Sequence, residues 1–424
     1  MQILLKGALL PSGKRSDILI EGSRIAKVAP SITVPAGEKI DASGKIALPG
    51  LINTHTHAAM ALFRGIGEDA SLHDWLAAVR VLEAKATPQQ ISSGSLLACA
   101  EMIKSGTTCF SDMYFHMDEV ALAVQQSGMR AALGYSMVDA DGKGFSEKKR
   151  ESELAICEKF IKDWNGKAEG RITATVPPHS IYLCSPELLK ASAALSKKHN
   201  AVLHIHLSET RKEVFDCLEK HKVRPAYYLD SLGLLTASTE AAHCVWMAKE
   251  EVKLLASRGV SASLCPVSNL KLASGGVAPY PEMLQSGMNV SLGTDGAASN
   301  NSLSMLETMK FLALVVKNAR WDATSATAEQ VLRAATAGGA RALGIESGEL
   351  KAGKLADIIL MDARAPNLIP AHNAAANIAY SAHAGNVTDS IINGKIVMRD
   401  RKLLTLDEGK IIERAQKDAE RLCA

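Results

Sequence analysis

No feature of the chain restricts its fold more than Leu48-Pro-Gly-Leu-Ile-Asn-Thr-His55-Thr-His57, an apolar run that ends in two histidines two positions apart. In a strand, residues i and i+2 point to the same face, so this spacing aims both imidazoles at one spot. Neutral imidazole is the commonest protein metal ligand, and a parallel barrel keeps its site at the carboxyl ends of its strands. The pair alone leaves a second reading open, two polar residues in a loop, because His-x-His arises easily by chance.

The 424 residues, 47% hydrophobic and 22% charged, can bury a large core and leave material for a smaller unit. Net charge is only +3 and no long Lys/Arg run occurs. That balance speaks against a nucleic-acid or membrane partner and for a small molecule. The start, Met1-Gln-Ile-Leu-Leu-Lys-Gly, reads as a strand and lacks the order of a secretory signal. No apolar stretch approaches the ~20 residues that span a bilayer. Cys99, Cys109, Cys157, Cys184, Cys217, Cys244, Cys265 and Cys423 form no Cys-x-x-Cys pair. They are expected as free, buried thiols of a cytoplasmic protein, with no disulfide or zinc knuckle. A homo-oligomer stays open.

Residues 1–47 alternate short β-type runs (Asp17-Ile-Leu-Ile, Arg24-Ile-Ala-Lys-Val, Lys45-Ile-Ala-Leu) with turn residues Gly22, Pro30, Gly37 and Gly44. The pattern returns in Asp357-Ile-Ile-Leu-Met-Asp and in Ser390-Ile-Ile-Asn-Gly-Lys-Ile-Val-Met. Neither end has a core of its own. Segments 1–47 and 345–424, the latter closing on a helix, are therefore expected to pair into one small β domain with 48–344 inserted between them.

The insertion alternates strand and helix patterns. Eight strands are expected, at 46–57, 107–112, 130–136, 171–176, 201–207, 241–245, 260–265 and 290–294. Helical spacing marks 91–105, 153–165, 186–199, 250–258 and 305–319 between them. Eight βα units in ~300 residues predict an α/β chain built on a (β/α)8 TIM barrel. A doubly wound open sheet is the alternative, but no Gly-x-Gly-x-x-Gly follows the first strand.

The strand ends then carry the argument. Strand four ends in Pro177-Pro-His179, strand five reads His204-Ile-His206-Leu-Ser-Glu209, strand six gives His243 and strand eight gives Gly293-Thr-Asp295. With His55 and His57 these are eight titratable groups at one end of a barrel, where a core would prefer apolar ones. Each has a plainer reading. His204, deeper in its strand, suits a hydrogen-bonded core histidine; Asp295 could cap a helix, and Glu209 could be a first-turn acid. His73, His116, His199, His221, His372 and His383 have no partner motif beside them and read as surface or packing residues.

These motifs, Pro49-Gly-Leu-Ile-Asn-Thr-His55-Thr-His57, His206-Leu-Ser-Glu209-Thr, Ala242-His243-Cys and Leu292-Gly-Thr-Asp295-Gly-Ala-Ala-Ser299-Asn-Asn, resemble the amidohydrolase superfamily. Within it they are similar to the methylthioadenosine/S-adenosylhomocysteine deaminase group and its triazine-hydrolase relatives, across essentially the whole chain. The resemblance implies a TIM barrel with a small β-sandwich made from both chain ends. It implies one divalent metal, zinc first and iron as the alternative, on His55, His57, His206 and Asp295. It places Glu209, His243 and Asp295 in proton handling and His179 on the base. Trp75 and Glu83 would lie in the substrate pocket, Glu83 on ribose hydroxyls, with Ser299 near the purine.

The chemistry agrees. Three neutral imidazoles and a carboxylate suit zinc or ferrous iron with a position open for water, whose pKa such an ion lowers from 15.7 towards ~7. Asp295 can accept the water's proton, Glu209 can protonate the ring nitrogen beside the attacked carbon, and His243 can polarise the nucleophile. Loss of ammonia converts an aminopurine to a hydroxypurine. Members of the superfamily that this chain resembles and that hold two metals usually bridge them with a carboxylated lysine at the end of strand four, where Pro177-Pro-His179 stands here, which supports one ion. The His-x-Glu with Pro-Cys-x-x-Cys signature of zinc cytidine deaminases is also missing.

The expected activity is therefore hydrolytic deamination of a 5'-substituted adenosine: S-adenosylhomocysteine, methylthioadenosine, 5'-deoxyadenosine or adenosine. Relatives acting on S-adenosylhomocysteine carry arginines after strand three, where this chain has Tyr135-Ser136; Lys143, Lys148, Lys149 or Arg150 could substitute. The alternatives are deamination of another ring such as guanine or a pterin, triazine hydrolysis and, remotely, a non-catalytic scaffold.

Overall fold

The computed structural model describes every residue except Met1, Ala36, Ser71 and Ala424, and the backbone alone of Leu72, His73 and Asp74. His73 thus lies outside the described side chains. Eight parallel strands form the barrel: Leu51–Thr56, Thr107–Tyr114, Arg130–Tyr135, Ile172–Ala174, Leu203–Leu207, Thr239–His243, Ser261–Leu264 and Asn289–Leu292. Each pairs with its neighbour in chain order within two four-stranded ladders. Two seams close the ring. At one, Val176 bridges Leu203 and the His204 amide donates to the Val176 carbonyl at 3.1 Å. At the other, the Asp295 amide donates to the His55 carbonyl at 2.9 Å. Closure removes the edges an open sheet would leave.

All eight expected strands are present, and the five expected helices appear as Pro88–Lys104, Glu147–Trp164, Pro186–His199, Lys249–Ser257 and Met305–Arg320. One boundary differs. The run 46–57, read as a single strand, is two: Lys45–Pro49 pairs antiparallel with Ile358–Asp362, and Leu51–Thr56 enters the barrel. Gly50 makes the crossing, where a Cβ would sit 2.0 Å from Thr108 Oγ1. A side chain there would push the two sheets apart.

Lys45–Pro49 belongs to a nine-stranded sheet shared by both chain ends. Its order is Lys402–Leu403, Lys395–Arg399, Val387–Ile392, Ile358–Asp362, Lys45–Pro49, Gln2–Leu9, Arg15–Glu21 and Arg24–Ala29, with Glu38–Asp41 added beside Gln2–Leu9. Ile3, Leu5, Ile18, Ile20, Ile358, Leu360 and Ile391 form its separate apolar core. The buried Arg130–Asp357 pair, 2.8 Å, ties this β-sandwich to the barrel. The last helix, Glu408–Cys423, buries Ile411, Ala415 and Leu422. Its buried Asp418 accepts the Ser93 hydroxyl of helix Pro88–Lys104 at 2.6 Å.

Among the described residues no helix is long and apolar enough to cross a membrane. All eight cysteines are free, seven of them buried.

Candidate active site

The carboxyl ends of the barrel strands bring the expected residues together. His55 and His57 leave strand one, His206 strand five, and Asp295 follows strand eight. Glycine precedes that aspartate at Gly293 because a Cβ there would lie 2.7 Å from the His55 Cβ and 2.8 Å from its carbonyl oxygen. His57 Nε2 and His55 Nε2 stand 3.3 and 3.6 Å from Asp295 Oδ1. The ligand atoms of His55, His57 and His206 all lie within 4.8 Å of one another.

The electrostatics fit a divalent ion at this point. Burial pushes the His55 imidazole down to about 4, against the pull of Asp295, and pushes His206 well below its ordinary range. Both rings are therefore neutral and offer lone pairs. Burial alone would raise the Asp295 carboxyl, but the surrounding imidazoles overcome it and hold the group well below the usual carboxylate range. His55 Nε2 is buried without any hydrogen-bond partner. An orphaned nitrogen facing two imidazoles and a carboxylate is what a metal ligand looks like before its ion is added. His55, His243 and Cys265 form a second close group, but burial drives the Cys265 thiol well up, which makes it a poor ligand.

Outer contacts set each ring. His57 Nδ1 donates to the Met113 carbonyl and His206 Nδ1 to the His179 carbonyl, both at 2.8 Å, which leaves each Nε2 free. Asp295 Oδ2 accepts the hydroxyl of Ser268 at 2.6 Å and lies 2.9 Å from that of Ser299. The Gly296 amide donates to Oδ1 at 2.9 Å. Ser208, His243 and Asp295 hold positive φ of 50°, 70° and 61°. Backbone of this kind is uncommon outside glycine and persists where surrounding contacts over-determine it.

Beside these groups opens a cavity of about 510 Å³ lined by His57, Trp75, Glu83, His179, His206, Glu209, His243 and Asp295. Glu209 is buried, and desolvation raises its carboxyl above the ordinary value despite nearby His243. Its Oε1 lies 3.9 Å from His243 Nδ1, and Asn269 sits between them, its Nδ2 3.2 Å from that ring nitrogen and 3.5 Å from the carboxylate. Glu213 holds the loop in place by accepting the amides of Ser208 at 2.8 Å and Glu209 at 2.9 Å. Burial and the charges around it push Glu213 up to about 8. The His179 ring lies against that of His206, 4.5 Å between centroids and tilted by 30°. Glu83 Oε1 accepts the Tyr114 hydroxyl at 2.6 Å.

Ser299 is placed otherwise than expected. It is fully buried, does not line the cavity, and its hydroxyl faces Asp295 Oδ2 and the Gly296 carbonyl. It supports a metal-ligand candidate from behind. The cations after strand three also stay outside the lining: Lys149 donates to the Ala140 carbonyl at 2.8 Å, and Arg150 lies 3.5 Å from Glu147. The cation that does line the cavity is Arg80. His204 is fully buried and hydrogen-bonded, as its position in the strand suggested; its Nε2 is 2.9 Å from His55 Nδ1 and its Nδ1 3.3 Å from Ser111 Oγ. His199 pairs with Glu158 at 3.0 Å and His221 stacks on Tyr228 at 3.9 Å, both away from the cavity. The sequence reading missed Arg80, Tyr114, Glu213, Ser268 and Asn269. A polar Ser268-Asn269 pair in the short helix Pro266–Lys271, just beyond the end of strand seven, was the available signal.

The family model described as the amidohydrolase family matches residues 46–397. The chain is 45% identical over 418 residues to a 5'-deoxyadenosine deaminase of Methanocaldococcus jannaschii, covering 98% of each chain. It is 44% identical over 433 residues to a 5-methylthioadenosine/S-adenosylhomocysteine deaminase of Pelotomaculum thermopropionicum, covering 99% of this chain and 98% of the relative. A crystal structure of an adenosine deaminase from Xanthomonas campestris with bound zinc superposes with a TM-score of 0.94 at 31% identity, over 99% and 98% of the two chains. A zinc-complexed atrazine chlorohydrolase from Arthrobacter aurescens reaches 0.93 at 24% identity over 98% and 100%, a likeness of fold alone.

Proposed function

The chain belongs to the amidohydrolase family, and from that premise we propose that it is a hydrolytic deaminase that replaces the 6-amino group of a 5'-substituted adenosine by oxygen. The observation that carries the reading is the convergence of His55, His57 and His206 with Asp295, held low, beside a cavity that also holds a raised, buried Glu209. We assign one divalent ion, zinc in the first place, to His55, His57, His206 and Asp295. When bound, such an ion supplies Lewis-acid activation of water at neutral pH.

The chain's own groups handle the protons. Asp295, held low, accepts a proton from the attacking water. Glu209, raised above the ordinary carboxyl value by burial, serves as the acid that gives a proton to the ring nitrogen next to the carbon under attack. Two carboxyls whose environments push them apart can act as base and acid in one turnover. His243, kept in register with Glu209 by Asn269, orients the nucleophile. The carbon–nitrogen bond then breaks, the amino group leaves as ammonia with the proton Asp295 took, and the hydroxyl's remaining proton passes to Glu209, which leaves the ring with a carbonyl and restores both carboxyls to their starting states. Trp75, Glu83 and His179 bind the nucleoside, His179 at the base and Glu83 at the sugar.

The test is a panel of adenosine, 5'-deoxyadenosine, methylthioadenosine, S-adenosylhomocysteine, guanine, a pterin and a chlorotriazine, followed by the ultraviolet change of each reaction. Turnover of adenosine derivatives supports the reading. Turnover of guanine, the pterin or the triazine with none of the nucleosides defeats it.

A further inference from the structure

We propose that His204 is a positioning residue of the metal site: it fixes which nitrogen of His55 carries the proton and so aims the other at the ion. The inference rests on the reading of His55 as a metal ligand and goes beyond it. Each of the three ligand imidazoles needs an acceptor for its Nδ1 proton. His57 and His206 use the carbonyls of Met113 and His179. A carbonyl can only accept, so the tautomer of these two rings is settled by the backbone, and no substitution removes the partner. His55 alone rests on a side chain.

That side chain could act in either of two directions. Imidazole both donates and accepts, and the chain His55 Nδ1, His204 Nε2, His204 Nδ1, Ser111 Oγ is continuous at 2.9 and 3.3 Å. In one polarity His55 donates to His204 and His204 donates to Ser111, which leaves His55 Nε2 with its lone pair. In the other, Ser111 donates to His204 and His204 to His55, which forces the His55 proton onto Nε2. That nitrogen would then point a hydrogen at Asp295 Oδ1, 3.6 Å away, where it has no hydrogen-bond partner. Both polarities carry the same number of protons. Only the first permits a ligand.

The geometry is that of a hydrogen bond between rings and not of packing. The two imidazoles meet edge-on, 5.0 Å between centroids at 78°. Both are fully buried, so water cannot replace either contact. His204 therefore does for His55 what the carbonyls do for the other two ligands, and Ser111 completes it by accepting from His204. Outer partners of this kind are worth about 10 to 100-fold in metal affinity.

The experiment compares wild type with His204→Ala and His204→Gln. Zinc affinity is measured by competition with a chromophoric chelator, the visible spectrum is recorded with cobalt(II) in place of zinc, and melting is followed without metal. Alanine removes the acceptor, and its zinc affinity is expected to fall about 10 to 100-fold with a changed cobalt spectrum. Glutamine can accept through its amide oxygen and is expected to recover most of the affinity. A merely structural histidine would lower metal-free melting in both variants and move neither the spectrum nor the affinity of folded protein. Equal zinc affinity and an identical cobalt spectrum in wild type and His204→Ala overturn the inference, and so does a loss that glutamine does not relieve while the metal-free variants melt like wild type. Should wild type itself bind no metal, the reading of His55 as a ligand fails first, and the two failures are distinguished.

Discussion

Removing the Glu83 carboxylate should cost the protein its preference for a nucleoside over a free base. Glu83 lines the same cavity as Glu209 and Asp295, and its Oε1 already holds the Tyr114 hydroxyl at 2.6 Å. Burial and the nearby Glu83 charge drive the Tyr114 phenol well above its ordinary value, so it stays a donor and fixes the carboxylate. Oε2, for which no partner stands among the described residues, is the oxygen the proposal gives to the two ribose hydroxyls. Hydrogen bonds to a charged acceptor contribute about 1.5–3 kcal/mol each, and a carboxylate built for hydroxyls is left unpaired when they are missing. One such bond fully made is enough to set the expectation: at least roughly a hundredfold in kcat/KM for adenosine over adenine, about 2.7 kcal/mol at about 1.36 per tenfold. The assay is kcat/KM by ultraviolet absorbance for adenosine, its 2'- and 3'-deoxy forms and adenine, on wild type and Glu83→Ala. The substitution should collapse the ratio to within a few-fold, with the loss confined to substrates that carry the hydroxyls. Equal turnover of adenine and adenosine by wild type, or an unchanged ratio in Glu83→Ala, would refute the ribose assignment.

His206→Ala should abolish both bound metal and activity, while wild type carries one ion per chain by elemental analysis; two per active chain would contradict the single-ion reading. Glu209→Gln should keep its metal and lower kcat together with kcat/KM by about 100 to 10,000-fold, because an amide keeps the shape and cannot shuttle a proton. Near wild-type turnover would remove Glu209 from the chemistry. Glu213, pushed up to about 8 when folded, holds a proton that the unfolded chain gives up near its ordinary 4.5, so the folded state binds more protons in between. Stability contributed at this position should therefore be present near pH 4.5 and fall as pH rises towards about 8. The melting temperature of wild type relative to Glu213→Gln, scanned from pH 5 to 9, should fall with rising pH; a rise would place the Glu213 proton elsewhere.

The barrel was legible because its signals repeat. Eight short apolar runs separated by helical spacing, five of them ending in the titratable groups named above, leave few arrangements in which those ends meet, and ring closure through Val176–Leu203 and Asp295–His55 is one of them. The ligand candidates shared that advantage, since His-x-His on a strand and Asp after Gly-Thr carry their direction in the spacing. The break at Gly50 was not legible in the same way. An apolar run passing from one sheet to another keeps its period, and only the pairings on either side of Gly50, with Ile358–Asp362 before it and Thr107–Tyr114 after it, show that the sheet has changed.

What escaped the sequence is the layer behind the ligands, and the reason is physical. A first contact is set by residue type: an ion takes imidazole and carboxylate, which are few. An outer contact needs only a donor or an acceptor, which a third of any chain can supply, so Ser268, Ser299, Asn269 and Glu213 look like ordinary surface or capping residues until distance singles them out. Ser299 shows the consequence. Its motif sets it four residues after Asp295; whether it faces the purine, as the resemblance implied, or the carboxylate depends on one short turn, Ala297–Asn300, that folds the hydroxyl back onto Oδ2 at 2.9 Å. Asp295 thus receives two hydroxyls on Oδ2 while Oδ1 is turned towards the imidazoles. The two hydroxyls hold Oδ2 away from the imidazoles, which is the division of labour the proposed double role of Asp295, ligand and base, requires.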